Sequence, residues 1–377
     1  MLCIEKAMQK GAVVNAQRTV LIYRGTDERG ESNGREVVLG DVDFEPLGYA
    51  DLLGTQSPGP TKLALRVRSG VVVECDDPSL KPGTRIRGDF VELTTQLTVK
   101  SYGLVPGGWL PSGLAALTGA TVGFDRCTLA TVKNAFRKRS AASAPRDQDF
   151  LDFLNTPGVR INPLFTILES AKKKVPTQAE VRELAQRVRE ALRAVLPQAV
   201  LVPDGEESVE GAFGLAQESA AGIERERDFL LAVIPLLRNT VAKSRKSEVW
   251  AAVVDEFKKS GTPRRTLSFF AALSCVVAPQ ERNHAKGVLK PGTQAYGTED
   301  AYNALADLRQ LVLLSNVYAL HPDERIMFCT DDFNFAAFWV GLEPRNFVRT
   351  DAGTTFDFTG NHLFPGISDD QWRDLAG

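Results

Sequence analysis

The sequence predicts an α/β protein in which a parallel sheet flanked by helices follows a small β-rich barrel or sandwich. Short β-branched runs between turns rich in proline and glycine fill roughly the first hundred residues, which is typical of β-rich domains. After residue 112, short apolar strands alternate with long helical patterns, which favours a parallel sheet. Two of these strands run directly into acidic residues, at Ala120–Asp125 and at Arg325–Asp332. Because open α/β sheets bind ligands at the carboxyl ends of their strands, the same observation predicts a site.

The β-rich domain is expected to span residues 1–105. Its clearest strands are Lys62–Arg68 and Val71–Cys75, and the Ser69-Gly70 pair between them predicts a hairpin with a two-residue loop. The segment Val105–Pro111 is rich in proline and glycine, so we place the domain boundary there.

The α/β domain is expected to span residues 112–350. Thr177–Glu180 has the Thr-x-x-Glu pattern of a capping box, which predicts the start of a helix. Residues 205–260 are polar and helical in pattern, and they predict a helical insertion within this domain. Residues 351–377 form the C-terminal tail in this division.

The composition is that of an ordinary globular protein, with 43% hydrophobic and 24% charged residues. The formal net charge of -2 argues against a surface coated with nucleic acid but allows a local basic groove. The five cysteines are scattered without a Cys-x-x-Cys pair, so we expect reduced thiols rather than disulfides or a zinc site. Neither a signal peptide nor a membrane-spanning run is recognisable, and we therefore expect a cytoplasmic protein that does not contact a membrane.

Acidic residues recur on the elements that would surround the carboxyl edge of the sheet. If the two acid-ending strands are parallel neighbours, Asp125 and Asp331 lie together at that edge. A helix between them carries Glu169, and a later helix carries Asp300 and Asp307. Carboxylates that converge at one edge commonly hold Mg²⁺ or Mn²⁺ against a phosphate group, because these hard cations prefer oxygen ligands.

The helix that begins near Thr298 has a simpler interpretation as well. Asp300, Asn303 and Asp307 follow one another at i, i+3 and i+7, so they share a face of the helix. A solvated face, with acids placed near the helix N-terminus by the helix dipole, would show the same pattern. The order of the acids along the whole chain favours the site over this interpretation.

In that order, the sequence resembles the PIN-domain nuclease family. The segments that carry the resemblance are Thr121–Asp125, Ile161–Glu169, Asp300–Asp307 and Phe328–Phe333. The resemblance implies a PIN-like fold over residues 112–350 and a metal-dependent nuclease that hydrolyses RNA phosphodiester bonds. It also implies that Mg²⁺ or Mn²⁺ is held by acidic side chains, carried over to Asp125, Glu169, Asp300 or Asp307, and Asp331.

More than a hundred residues separate Glu169 from Asp300, which is why the resemblance requires an insertion and leaves Asp300 and Asp307 as alternative ligands. The resemblance places a hydroxyl residue, Thr330, before the last aspartate of the set. Basic residues near the acids predict where a nucleic-acid strand would bind. The candidate substrate-binding residues are Asn303, Thr330, Lys133, Arg137, Lys172 and Lys173.

The sequence therefore predicts a metal-dependent endoribonuclease, and the family resemblance suggests a toxin or an antiviral-defence effector. Two alternatives stay open: a non-enzymatic PIN-like interaction scaffold, and a metal-dependent nuclease that acts on DNA. The expected partner is RNA, with single-stranded DNA as the alternative. A homo-oligomer, or a protein partner bound through the N-terminal β domain, is also compatible with the sequence.

Overall fold

The fold is that of a computed structural model. It describes residues 21–26, 32–56, 61–76, 78–87, 89–95, 101–138, 154, 157–169, 176–262, 266–280, 283–351 and 353–376. The strands in chain order are β1 (Leu21–Thr26), β2 (Ser32–Phe44), β3 (Thr61–Cys75), β4 (Arg85–Ile86), β5 (Asp89–Thr95), β6 (Tyr102–Val105), β7 (Gly108–Pro111), β8 (Thr121–Phe124), β9 (Arg160–Asn162), β10 (Val200–Leu201), β11 (Ile326–Thr330), β12 (Arg345–Thr350) and β13 (Gly353–Asp357).

The helices alternate with these strands from residue 112 onwards, as the sequence predicts for an α/β protein. In chain order they are α1 (Tyr49–Gly54), α2 (Ala115–Thr118), α3 (Arg126–Lys138), α4 (Leu164–Leu168), α5 (Gln178–Val195), α6 (Glu206–Leu237), α7 (Lys246–Lys259), α8 (Leu267–Val277), α9 (His284–Leu289), α10 (Thr298–Leu320), α11 (Phe333–Leu342) and α12 (Asp369–Ala376). Two 3₁₀ turns, Ser112–Leu114 and Lys243–Arg245, precede α2 and α7. Within the described residues, no helix is both long and apolar enough to cross a membrane.

A six-stranded sheet with the order β10-β9-β8-β11-β6-β7 organises the larger part of the chain. The first four strands of this order are parallel, and β8 and β11 are neighbours, as expected from the sequence. The sheet is mixed rather than purely parallel, because β6 pairs with β11 in antiparallel fashion and β7 pairs with β6. The Pro106-Gly107 pair, which suggested a domain boundary, forms the turn of this β6–β7 hairpin.

A separate antiparallel sheet near the N-terminus contains β1 to β5. Its pairings form the path β1-β2-β3-β4, with β5 also paired to β3, and among the described residues this path is open. A β-rich region is therefore confirmed, whereas its closure into a barrel or sandwich stays a prediction. The division of the chain at residues 105, 112 and 350 also stays a prediction; β12 and β13 pair across position 350.

The predicted hairpin at Ser69-Gly70 is wrong. Both residues lie inside the continuous strand β3, because two neighbouring strands pair with it at this point: Ser69 lies opposite Asp43, and Gly70 lies opposite Ile86. The register of β2 shifts between Gly40 and Asp43, so β2 has a β-bulge opposite the position at which the sequence predicted a turn.

The large sheet is held against its helices by a continuous apolar core. Phe328 of β11, Phe165 of α4 and Trp339 of α11 are fully buried, as are Phe124 and Trp109. Burying side chains of this size stabilises the fold by about 1.5–3 kcal/mol each. This packing fixes the relative positions of the elements that carry the acidic residues.

Candidate functional site

The site lies where β8 and β11 end side by side. In the parallel register, Phe328 lies opposite Gly123 and Cys329 lies opposite Phe124. β11 ends at Thr330 and is followed by Asp331, and β8 ends at Phe124 and is followed by Asp125. The two aspartates thus reach the same carboxyl edge from segments that lie some two hundred residues apart in sequence.

Asp125 is held by hydrogen bonds from both sides. It precedes the first residue of α3 and accepts the backbone N–H of Thr128 at 2.6 Å on Oδ1, as a helix-capping residue does. Its Oδ2 accepts the hydroxyl of Thr330 at 2.7 Å, and the Thr330 oxygen in turn accepts the N–H of Asp332 at 3.1 Å. Thr330 is fully buried, so the structure places its hydroxyl on Asp125 rather than towards a substrate.

Glu169 reaches this edge because α4 packs closely on the end of β8. A Cβ atom at Gly123 would lie 2.3 Å from the ring of Phe165, so only glycine allows this approach. The hydroxyl of Thr166 also donates to the carbonyl of Phe124 at 2.9 Å. At the end of α4, Glu169 Oε2 accepts the backbone N–H of Arg126 at 2.6 Å, which joins it to the first turn of α3.

The structure separates the two aspartates of α10. Asp300 caps the helix, and its Oδ2 accepts the backbone N–H of Gly297 at 2.9 Å. Asp307 lies seven residues further on, about 10 Å along the helix axis. At this position the charge of Asp307 adds to the raised pKa of Glu169. This placement favours Asp307 over Asp300 as a member of the site. Asn303 is exposed on the turn between them.

Asp331 lies at the end of β11, next to α3. Its Oδ2 accepts the hydroxyl of Thr131 from α3 at 3.2 Å. Asp332 follows and caps α11, because its Oδ1 accepts the backbone N–H of Phe335 at 3.0 Å. Sequence reasoning did not include Asp332 among the site residues, although its position next to Asp331 in the same motif was a usable signal.

Burial and repulsion between acids raise the pKa values of three of these residues, Glu169, Asp307 and Asp125. Burial raises the pKa of Glu169 to about 7; the N–H of Arg126 opposes the shift, and Asp125 and Asp307 add to it. Burial likewise raises the pKa of Asp307 to about 6, opposed by Lys290 and reinforced by Asp332 and Asp125.

The pKa of Asp125 also lies above its ordinary value. Burial is the main cause, the hydrogen bonds from Thr128 and Thr330 oppose it, and the charge of Asp332 adds to it. The neighbouring thiol of Cys127 has a raised pKa as well, first through burial and then through the surrounding acids. The acids therefore form one electrostatically coupled group, which we call the acid edge: Asp125, Glu169, Asp307, Asp331 and Asp332.

The side chains of the acid edge do not converge on one point as the ligands of a bound metal ion do. Among the described residues, no three His, Cys, Asp or Glu side chains converge as ligands of one ion. Asp125, Glu169 and Asp331 each direct an oxygen at a donor of the protein. Carboxylates also repel one another without a cation. The donor set itself, which consists only of carboxylate oxygens, suits Mg²⁺ or Mn²⁺.

The predicted basic residues are described only in part. Lys133 of α3 is partly buried, whereas the side chain of Arg137 and all of Lys172 and Lys173 lie outside the described residues. Lys290, which sequence reasoning missed, lies before α10, and its charge lowers the pKa of Asp307. A single lysine in a loop carries no sequence signal of such a role.

Comparison of the chain with protein-family models, with curated proteins and with solved structures gave no match. The interpretation of the acid edge therefore depends on its own geometry and chemistry.

Proposed function

We propose that the protein is a metal-dependent nuclease, in the first place an endoribonuclease, with its active site at the acid edge. One observation carries the proposal: four separate chain segments bring Asp125, Glu169, Asp307 and Asp331 to the edge of the sheet at which the parallel strands β8 and β11 end. Such a concentration of like charge opposes folding, and it is expected where a bound cation offsets the repulsion. The PIN-like character of the fold and the choice of RNA come from the sequence resemblance.

In this proposal, Asp125, Glu169, Asp307 and Asp331 hold Mg²⁺ or Mn²⁺. The bound ions would supply an activated water and would stabilise the negative charge that develops on the phosphate. The protein contributes the orientation of the ligands: Thr128 and Thr330 fix Asp125. Residues with such supporting contacts typically affect metal affinity or activity by about 10–100-fold.

Glu169 would also govern the protonation of the site. With a pKa of about 7, its carboxyl group carries a proton in a large fraction of metal-free molecules near neutral pH. Since Oε2 accepts the N–H of Arg126, that proton belongs on Oε1. Binding a cation would release it, because metal ligands must be deprotonated.

The test is cleavage of labelled single-stranded RNA and DNA with Mn²⁺, Mg²⁺ or EDTA. We expect metal-dependent cleavage inside RNA, and a loss of at least about 100-fold in Asp125→Asn, equivalent to the several kcal/mol that metal stabilisation provides. Asp323→Asn is the matched control, because Asp323 is exposed near the opposite edge of the sheet.

The outcomes separate the alternatives. Cleavage of DNA alone would show that the substrate is DNA instead of RNA, and it would still support the metal site. No cleavage with any metal, together with no effect of Mn²⁺ on thermal stability, would contradict the nuclease and favour an interaction scaffold.

A further inference from the structure

A cleft between α4, α6 and α10 lies next to the acid edge. Leu168 of α4, Leu215 of α6 and Leu313 of α10 give it apolar walls, and Ala306 and Gln310 of α10 also line it. The empty space, including the part that is open to solvent, is about 570 Å³, which exceeds the volume of a nucleobase. We call this cleft the side cleft.

The side cleft adjoins two of the acids. Leu168 and Ala306, which line it, immediately precede Glu169 and Asp307 in the chain. Gln310 follows Asp307 by three residues, so these two side chains are neighbours on successive turns of α10. A group bound in the side cleft would therefore lie beside a phosphate bound at the acid edge.

Gln310 has a buried acceptor that lacks a donor. The residue is only 5% exposed, and its Nε2 donates to the carbonyl of Phe165 at 3.1 Å, which fixes the orientation of the amide. Its Oε1 is buried as well and has no hydrogen-bond partner among the described residues. Because a buried acceptor without a donor loses its hydration and gains nothing in return, such atoms are rare in folded proteins. The Oε1 atom therefore favours a ligand that brings a hydrogen-bond donor.

The charge of the side cleft favours a neutral ligand. Arg309 lines the cleft, and the charge of Glu226 stabilises the charged form of this arginine. An ammonium group would be repelled by Arg309, whereas a phosphate or a carboxylate would place a second acceptor against Gln310 Oε1. A neutral group with apolar faces and an N–H donor avoids both conflicts, and a nucleobase is such a group.

We propose that the side cleft binds one base of the substrate strand and that Gln310 Oε1 accepts a hydrogen bond from an exocyclic amino group of this base. Adenine, cytosine and guanine each carry such a group. Uracil offers only a ring N–H between two carbonyl oxygens, which would face the Gln310 oxygen. The inference rests on the proposed nuclease and names its substrate class: single-stranded RNA with an amino-bearing base next to the cleaved bond.

The first test compares uridine oligomers that carry one adenosine, cytidine or guanosine at a fixed position. With Mn²⁺, we expect at least one of them to be cut at a constant distance from the inserted base. The rate should exceed that of the all-uridine strand by at least about 10-fold, because a site that hydrogen-bonds an amino group rejects a base without it. Purine riboside in place of adenosine, or inosine in place of guanosine, lacks only the amino group and should remove this advantage.

Two variants connect the base preference to the side cleft. Gln310→Met removes the acceptor and keeps the length of the side chain, so the preference should fall to within about twofold. This variant also loses the hydrogen bond to Phe165, so a second variant leaves Gln310 in place. Ala306→Leu fills the cleft from a half-buried position of α10 and should abolish the preference as well. The matched control is Ala319→Leu, which makes the same change at a half-buried position of α10 that does not line the cleft, and it should keep the preference.

Nucleoside binding tests the side cleft without catalysis. Adenosine, cytidine, guanosine and uridine are titrated into the protein with EDTA present and followed by saturation-transfer NMR. We expect at least one amino-bearing nucleoside to bind at least about 5-fold more tightly than uridine, and Ala306→Leu to abolish this difference.

The outcomes distinguish the base site from the nuclease. Cleavage of all strands at one rate would overturn the base site and leave the nuclease in place, with a side cleft that holds only water. Selective nucleoside binding without cleavage by any metal would contradict the nuclease and keep the base site. A protein that neither cleaves nor distinguishes the nucleosides would overturn both.

Discussion

Charged side chains have opposite surroundings at the two edges of the six-stranded sheet. At the amino edge, Arg325 pairs with Asp41 at 2.7 Å and donates to the carbonyl of Thr118 at 2.8 Å. Arg160 and Glu324 lie 3.5 Å apart at the same edge. Burial alone would raise the pKa of Asp41, but hydrogen bonds and attraction from Arg325 and a second arginine lower it.

At the carboxyl edge, burial is the main cause that raises the pKa values of Asp125, Glu169 and Asp307, and neighbouring acids add to it. Glu169 and Asp307 have pKa values of about 7 and about 6, because burial and neighbouring acids both disfavour their charged forms. Opposite charges at the amino edge stabilise the fold, whereas like charges at the carboxyl edge destabilise it. The difference supports the proposal that the carboxyl edge serves binding rather than stability.

The largest expected effect is a difference in cleavage rate between variants of two aspartates on α10. Asp307→Asn should reduce metal-dependent cleavage by about 100-fold or more, because it removes a proposed ligand. Asp300→Asn should change the rate by less than about twofold, because Asp300 caps α10 instead. Steady-state rates at saturating Mn²⁺, measured side by side, check this contrast.

Thermal unfolding without metal serves as the control for folding. Asp307→Asn should unfold at the same or a higher temperature than the wild type near neutral pH, since it relieves repulsion at the acid edge. Asp300→Asn should lose about 0.3–1 kcal/mol, the usual contribution of an acid at a helix N-terminus. Equal rate losses in both variants would contradict the assignment of Asp307.

The next effect is an unusual dependence of stability on pH. Glu169 and Asp307 have folded-state pKa values above their unfolded values, so the folded protein binds more protons between about pH 4 and about pH 7. Their contribution is therefore fully present below pH 4 and is lost as the pH rises through about 7. We expect on the order of 2–3 kcal/mol of stability to be lost over this range through Glu169.

Urea unfolding of the metal-free protein at several pH values measures this loss. Glu169→Gln should flatten the profile, because the glutamine does not titrate. Saturating Mn²⁺ should also remove the decline, since the cation binds the deprotonated carboxylates. A wild-type profile that rises steadily from pH 5 to pH 7.5 would argue against repulsion at the acid edge.

The sequence was sufficient to predict the strands and helices that carry the acid edge, but not the contacts that its side chains make. Two apolar strands that each run into an acid suggested a shared site, which required β8 and β11 to be parallel neighbours, and the structure pairs them in this way. Asp300 and Asp307 could not be distinguished from the sequence, because both lie on one face of α10. Only the folded structure shows that Asp300 caps the helix and that the charge of Asp307 raises the pKa of Glu169.

Tyr102 shows where sequence patterns fail altogether. A tyrosine in a short strand is an ordinary core residue, and its chain position assigned it to the β-rich region. Its place opposite Thr330, at the end of β11, depends on the antiparallel addition of β6 to the parallel strands, which is a long-range pairing without a local signal. The same limit applied to Ser69-Gly70, where pairing with two neighbouring strands overrode the turn propensity.

The smallest effect belongs to the amino edge. Arg325→Gln should lower the free energy of unfolding by no more than about 1 kcal/mol, because the pair with Asp41 is partly exposed and such pairs are weak. Asp41 has a lowered pKa, so its contribution is present above its unfolded pKa of about 4 and is lost as the pH falls. The variant should therefore lose stability at pH 7 and little at pH 3, the reverse of the acid edge. Mn²⁺ affinity should stay unchanged, and a change in that affinity would show that the two edges are coupled through β11.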